Sequence, residues 1–144
     1  MKCRIYLIVL VSVFSITNNL AQYFAGCEDV SAFDKNSHPD LGIVISSGDA
    51  ETVWNALRLG IAAQSKGDSV VVFVISKAVD VFIKDSSQFN IPKASLDFTK
   101  NGGAILTCST CAKMRHTDEV QMCTLTSIYD LYAIINQSKK VVTF

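Results

Sequence analysis

The most β-rich stretch of the chain is Ser69-Val70-Val71-Val72-Phe73-Val74-Ile75. A continuous apolar run without polar alternation is typical of a strand that is buried on both faces, as in a parallel sheet. Three further runs predict strands, and they are Leu41-Gly42-Ile43-Val44-Ile45-Ser46, Ala104-Ile105-Leu106-Thr107 and Val141-Val142-Thr143-Phe144.

Helical segments are predicted between these strands, over residues 50–65, 78–84, 93–100 and 126–137. In the first of them Val53, Leu57 and Ile61 recur at four-residue spacing, which is typical of a helix with one apolar face. We interpret Trp54 beside that face as core rather than as a ligand-stacking group. Alternating strands and helices predict an α/β fold, a three-layer α/β/α sandwich with a mainly parallel sheet.

The loops that follow the first three strands contain the polar and reactive side chains. They are Ser47-Gly48-Asp49, Ser76-Lys77 and Cys108-Ser109-Thr110-Cys111. Parallel strands end at the same edge of a sheet, where open α/β folds bind ligands. We therefore expect these three loops to converge on one candidate site.

Cys108 and Cys111 have the C-x-x-C spacing, and Cys123 follows at a distance. Two such thiols can form a disulfide, alter one another's pKa or bind a soft metal. One alternative is that the four cysteines after residue 21 form two structural disulfides. Another is a structural zinc site formed by Cys108, Cys111, Cys123 and His116. His116 near a thiol could act as a base, although a solvated histidine in a polar loop is the simpler interpretation.

The first 21 residues have the pattern of a secretory signal peptide. Lys2 and Arg4 precede an apolar segment over residues 5–16, which is too short to span a bilayer comfortably. We expect an exported, periplasmic protein with residues 22–40 as a lead-in and residues 41–144 as one domain. An uncleaved membrane anchor is one alternative. Another is a lipoprotein anchored through Cys27, which follows two small residues.

Composition and motifs exclude several function classes. The formal net charge is zero, and loss of the leader makes it about −2, so no binding of nucleic acid is predicted. The phosphate-loop, dinucleotide and G-x-S-x-G signatures are missing from the sequence, and no cofactor is predicted. Asp49 and Glu51 could pair as catalytic carboxylates, but their place at a helix start favours interaction with the helix dipole. Lys77 is most simply a surface residue.

Three segments resemble the DsrE/DsrF-like family of sulfur-handling proteins. They are residues 49–59, residues 101–111 and the terminal Val141-Val142-Thr143-Phe144. The resemblance covers residues 41–144 and implies a compact α/β/α domain that forms homo- or hetero-oligomers, often trimers or hexamers. It also implies that sulfur is carried as a cysteine persulfide, with a donor or acceptor protein thiol as partner.

The resemblance implies roles for individual residues. Cys108 matches the cysteine that accepts sulfur, Cys111 matches a second cysteine found in one branch, and Arg115 matches a basic residue that follows. Cys123 supplies a third thiol, and His116 stands where a glycine is common. Lys77, Arg115 or His116 near Cys108 would stabilise its thiolate. We therefore expect persulfide transfer or thiol–disulfide exchange, and if the protein is an enzyme it is sulfurtransferase-like. The alternative is a non-catalytic oligomeric module with structural or zinc-binding cysteines.

Overall fold

A computed structural model describes residues 34, 36–83, 88–116 and 124–144. The predicted signal peptide, Cys27 and Cys123 lie outside the described residues, as does most of the predicted lead-in. The strands are β1 (Leu41–Ile45), β2 (Val70–Val74), β3 (Ala104–Cys108), β4 (Thr124–Thr126) and β5 (Lys140–Thr143). The helices are α1 (Ala50–Gln64), α2 (Ala78–Ile83), α3 (Ile91–Lys100), α4 (Ser109–Met114) and α5 (Ile128–Gln137).

The five strands form one sheet in the order β4-β3-β2-β1-β5, and every neighbouring pair is parallel. Helices cover both faces of the sheet, so the predicted three-layer α/β/α architecture is confirmed. Every residue of β2 is buried, as its unbroken apolar sequence predicts. No helix within the described ranges is long and apolar enough to cross a membrane.

The residues of β2 alternate between two core clusters on opposite faces of the sheet. Val70, Val72 and Val74 belong to the larger cluster, which also contains apolar side chains of α1, α2 and α3. Val71 and Phe73 belong to the smaller cluster, which Ile134 of α5 completes. Alternation of side chains along a strand sends one set to each face, so β2 is the central member of both cores.

Two glycines allow α1, α3 and the start of β3 to pack closely around one aromatic ring. A Cβ atom at Gly60 in α1 would lie 2.7 Å from Cε2 of Phe98, which is fully buried in α3. A Cβ atom at Gly103 would overlap the same ring even more closely. Phe98 therefore fills a space that exists because both positions lack a side chain.

Side-chain hydrogen bonds connect three strands at the edge of the sheet where the strands begin. Asp40 precedes β1, and its Oδ2 accepts hydrogen bonds from the backbone N–H and the hydroxyl of Ser69, both at 2.8 Å. Its Oδ1 accepts from Nζ of Lys139 at 2.6 Å. These bonds join the starts of β1, β2 and β5, and they hold the pKa of the Asp40 carboxyl far below its usual range, with the Lys139 hydrogen bond as the largest cause.

Four features of the fold differ from the sequence-based prediction. Helix α3 begins at Ile91 rather than at residue 93, because Asn90 caps it by accepting from the N–H of Lys93 at 2.9 Å. Pro92 fits in the first turn, where its missing N–H needs no partner. The short elements α4 and β4 were not predicted. Helix α5 begins at Ile128 rather than at residue 126, because Thr126 ends β4.

Candidate functional site

The three loops predicted to converge do meet at the edge of the sheet where the strands end. A Cβ atom at Gly48, in the loop after β1, would lie 3.0 Å from Cβ of Lys77, in the loop after β2. The backbone N–H of Ser76, also after β2, donates to Sγ of Cys111 at 3.4 Å. The parallel sheet therefore brings the predicted loops together as its geometry requires.

Cys108 is the last residue of β3 and the N-cap of α4. Its side chain is 5% exposed and contacts the smaller core cluster, with Phe73, Leu106 and Ile134. Burial is the main cause that raises the pKa of the Cys108 thiol, because it disfavours the thiolate. The backbone N–H groups of Cys111 and Thr110 act to lower that pKa, whereas the Cys111 side chain acts to raise it further.

Cys111 lies one turn later and is only half-buried. Its side chain packs against both core clusters, so it sits where the two layers meet at the edge of the sheet. Ser76, which donates to its sulfur, has a φ of 59°, a left-handed conformation that is uncommon for a residue other than glycine. Both Cys108 and Cys111 are free thiols.

Arg115 ends α4 and ties it to α2. Its Nε donates to Oδ2 of Asp80 at 3.1 Å, and its Nη1 donates to the carbonyl oxygen of Cys111 at 3.3 Å. The guanidinium therefore contacts the backbone of Cys111 while its charge is paired with a carboxylate. Arg115 positions the helix that carries Cys111, a contact different from the predicted one with the Cys108 thiolate.

The other predicted supporting residues occupy separate positions around the site. Lys77 is exposed beside Gly48. Asp49 caps α1, where its Oδ2 accepts from the N–H of Thr52 at 2.8 Å and from the Thr52 hydroxyl at 2.7 Å. These bonds lower the pKa of the Asp49 carboxyl, in agreement with a role at the helix start. His116 is exposed just after α4.

The zinc alternative depended on four ligands, and only part of that set can be placed. Cys108, Cys111 and His116 belong to the described ranges, whereas Cys123 does not. Over those ranges, no three histidine, cysteine, aspartate or glutamate side chains are grouped closely enough to hold a metal ion.

Sequence reasoning placed Ser76 in a converging loop without a role for its backbone N–H, and it missed Thr126. Ser76 was noted only as part of a loop, because nothing in a serine indicates a left-handed backbone. Thr126 belongs to the unpredicted β4 and is the register partner of Cys108. Its buried hydroxyl has no hydrogen-bond partner in the described part of the chain. Thr126 follows a polar stretch of sequence, which is typical of a helix start. Nothing in the sequence therefore indicated a strand at this position.

The fold and the site together define a class of protein. It is a parallel, three-layer α/β domain that carries two free thiols at the edge where its strands end. The chain belongs to the DsrE/DsrF-like family, because a sequence model of that family matches residues 40–144. The resemblance noted in the sequence is thereby confirmed. Family membership points to a sulfur-related function.

The chain is also similar to two further proteins. An uncharacterized protein of Methanocaldococcus jannaschii is 30% identical over 101 residues, which cover 65% of this chain and 88% of the relative. Among solved structures, a conserved protein of unknown function from Bacteroides thetaiotaomicron superposes with a TM-score of 0.63 at 15% identity. That match covers 79% of this chain and all of the other, and it supports the fold alone.

Proposed function

We propose that this protein is an exported sulfur carrier that accepts sulfur as a cysteine persulfide at the Cys108–Cys111 pair and passes it to the thiol of a partner protein. The same pair could instead exchange disulfides with that partner, since both reactions need a thiolate attacking a sulfur. Repeated transfer to the partner thiol would make the protein a sulfurtransferase-like enzyme.

The observation that carries this proposal is the arrangement of the two thiols. Both are free, they interact with each other, and they lie where the loops after β2 and β3 meet. An open pair at the edge of a sheet, in a family of sulfur-handling proteins, supports exchange chemistry.

Mass spectrometry after treatment with inorganic polysulfide tests the proposal. Trypsin releases residues 101–113 as one peptide that contains Cys108 and Cys111 but no other cysteine. A carrier should gain about 32 Da on this peptide, the mass of one sulfur atom, or should convert the pair to a disulfide. The double variant Cys108→Ala, Cys111→Ala should show neither change.

Thr110→Ala, between the two cysteines and exposed, is the matched control and should react as the wild type does. Unreactive thiols in the wild type, together with unfolding by a chelator, would favour the competing function, an oligomeric module with structural or zinc-binding cysteines.

We also propose that a second copy of the chain covers the outer face of α5. This face presents Ile128, Tyr129, Tyr132 and Ile135, each at least half exposed. Between residues 124 and 138 the one charged side chain is Asp130, and it is buried. A second copy would meet no like charge there, and burying exposed apolar area would stabilise the contact. The trimer or hexamer implied by the family resemblance would use such a face.

We also propose that the protein is exported, because residues 1–21 have the pattern of a cleaved signal peptide. The intact mass of the mature protein tests it. A chain that starts at Gln22 supports export through a simple signal peptide, whereas a lipid-modified chain that starts at Cys27 supports the lipoprotein alternative. A mass that includes residues 1–21 would contradict both.

A further inference from the structure

The two thiols of the site differ in burial, since Cys108 is buried and Cys111 is only partly buried. Cys108 is 5% exposed and lies in an apolar cluster with Phe73 and Leu106. Cys111, on the first turn of α4, is half-buried. A sulfur donor carried on another protein must bring its own sulfur within bonding distance of the attacking thiol, so access at the surface decides which cysteine reacts first.

The backbone groups around Cys111 also favour it as the cysteine that reacts first. The N–H of Ser76 donates to Sγ of Cys111 at 3.4 Å, and Ser76 adopts a left-handed φ of 59° to hold that position. A non-glycine residue in this conformation costs about 1 kcal/mol or more, and such strain is concentrated at functional sites. The N–H is a fixed donor for negative charge on the sulfur during a reaction. Arg115 also fixes this turn by donating to the carbonyl oxygen of Cys111.

We infer that Cys111 is the thiol that meets the sulfur donor, and that Cys108 is the resolving thiol behind it. This inference rests on the proposed function and reverses the roles that the family resemblance implies. The observations that carry it are the partial burial of Cys111, the nearly complete burial of Cys108 and the hydrogen bond from the Ser76 N–H to the Cys111 sulfur.

The chemistry balances in two steps. In the first, the Cys111 thiolate attacks the outer sulfur of a donor persulfide, a new S–S bond forms, the donor's S–S bond breaks and its electron pair leaves on the donor thiolate. In the second, which takes place when no partner thiol has accepted the sulfur, Cys108 attacks the Cys111 sulfur, the persulfide S–S bond breaks, and the Cys108 proton leaves with sulfide as H₂S. The two cysteines are oxidised to a disulfide and the transferred sulfur is reduced.

Single-cysteine variants test this order on the peptide of residues 101–113. The protein is treated with inorganic polysulfide, and persulfide is trapped by alkylation before digestion. Cys108→Ala should keep the sulfur that it takes up as a Cys111 persulfide, because the resolving thiol is missing. Cys111→Ala should take it up at least about tenfold more slowly, because the remaining thiol is buried. Alanine is used because the Cys108 pocket is apolar.

A second measurement does not depend on sulfur transfer. N-ethylmaleimide should label Cys111 in the Cys108→Ala variant about tenfold faster than Cys108 in the Cys111→Ala variant. Because burial raises the pKa of Cys108, labelling of Cys108 should also require a higher pH than an ordinary thiol needs. Circular dichroism on both variants confirms that the fold is intact.

The possible failures can be told apart. Sulfur uptake by Cys111→Ala at the wild-type rate, or equal labelling of the two thiols, would overturn the order while leaving the sulfur carrier in place. A stable persulfide in the wild type, with no disulfide and no sulfide released, would remove the resolving role of Cys108. No uptake by the wild type would overturn the proposed function, and this inference with it.

Discussion

His116 follows α4 with a φ of 53°, a left-handed backbone that is costly for any residue with a Cβ atom. The family resemblance places a glycine at this position, and the structure supplies the physical reason for that preference. A glycine adopts this conformation without steric penalty, so His116 is accommodated here at the expense of stability.

Replacing His116 with glycine should stabilise the protein. The expected gain is roughly 0.5–1 kcal/mol in the free energy of unfolding, since relief of the backbone penalty exceeds the extra freedom of glycine in the unfolded chain. Urea denaturation measures it. His116→Ala is the control, because it removes the imidazole and keeps the Cβ atom. Equal stability of the glycine and alanine variants would show that the conformation carries no penalty.

Asp40 links stability to acid pH. Hydrogen bonds from Lys139 and Ser69 hold the pKa of its carboxyl well below the ordinary value, so the folded state binds a proton there less readily than the unfolded state does. The stabilisation is therefore complete above the ordinary pKa of an aspartate, and it is lost as the pH falls toward the folded pKa.

Asp40→Asn should lower stability at neutral pH and should flatten its decline below about pH 4. Urea denaturation at several pH values measures both effects. Lys139→Met removes the largest cause of the pKa shift and should act in the same direction. Because the two residues form one ion pair, the double variant should lose less than the sum of the single losses. A wild-type pH profile in Asp40→Asn would contradict this account.

The β1, β2, β3 and β5 strands and the helices α1 and α2 were predictable because each leaves a clear pattern. The apolar side chains of a run such as residues 70–74 are all removed from water only in a sheet whose two faces are both covered. Helix α4 and strand β4 left no such pattern. Strand β4 spans three residues and joins the sheet through its register with β3, and that pairing is a tertiary contact.

The candidate site was predictable to a similar degree. The topology of a parallel sheet predicted that Cys108 and Cys111 would meet the loop after β2. The donor from Ser76 and the different burial of the two thiols were not predictable. Both depend on the direction that α4 takes after β3, and α4 was not predicted from the sequence.

The packing of α1 and α3 against the start of β3 depends on Gly103. Gly103→Ala should cost about 1–3 kcal/mol, because the new methyl group would overlap the buried ring of Phe98. Thermal or urea denaturation measures the loss. Phe98→Leu alone should also destabilise, by leaving space unfilled.

The double variant Gly103→Ala, Phe98→Leu checks the cause of that loss. A smaller side chain at residue 98 makes room for the methyl group, so the two losses should not add up in full. Strictly additive losses would show that Gly103 is needed for a reason other than its approach to Phe98.

Among the residues that the structure describes, α5 presents four apolar side chains that are each at least half exposed. The face of α5 begins at Ile128, two residues after Thr126, which is the register partner of Cys108. The proposed contact between copies therefore starts at the same edge of the sheet as the thiols. Assembly would place the sites of neighbouring copies near that contact.

Tyr132→Glu should reduce the assembly to a smaller species, because a charge at the middle of an apolar contact is costly to bury. Light scattering coupled to size-exclusion chromatography measures the molar mass. Leu59→Glu is the matched control, since Leu59 is an exposed apolar residue of α1, on the opposite layer. A monomeric wild type, or dissociation by the Leu59 variant alone, would contradict the proposed face.

The ion pair and hydrogen bonds of Asp40 lie at the opposite end of β1 and β2 from Ser76 and Cys111. Hydrogen bonds hold the strands together at one end, and the two thiols lie at the other. If the proposed sulfur transfer takes place, substitution of the exposed Lys77 should therefore change selectivity toward donor proteins with little effect on the unfolding temperature. Exposed residues at the end that carries the thiols can therefore vary without loss of the contacts that hold the strand starts together.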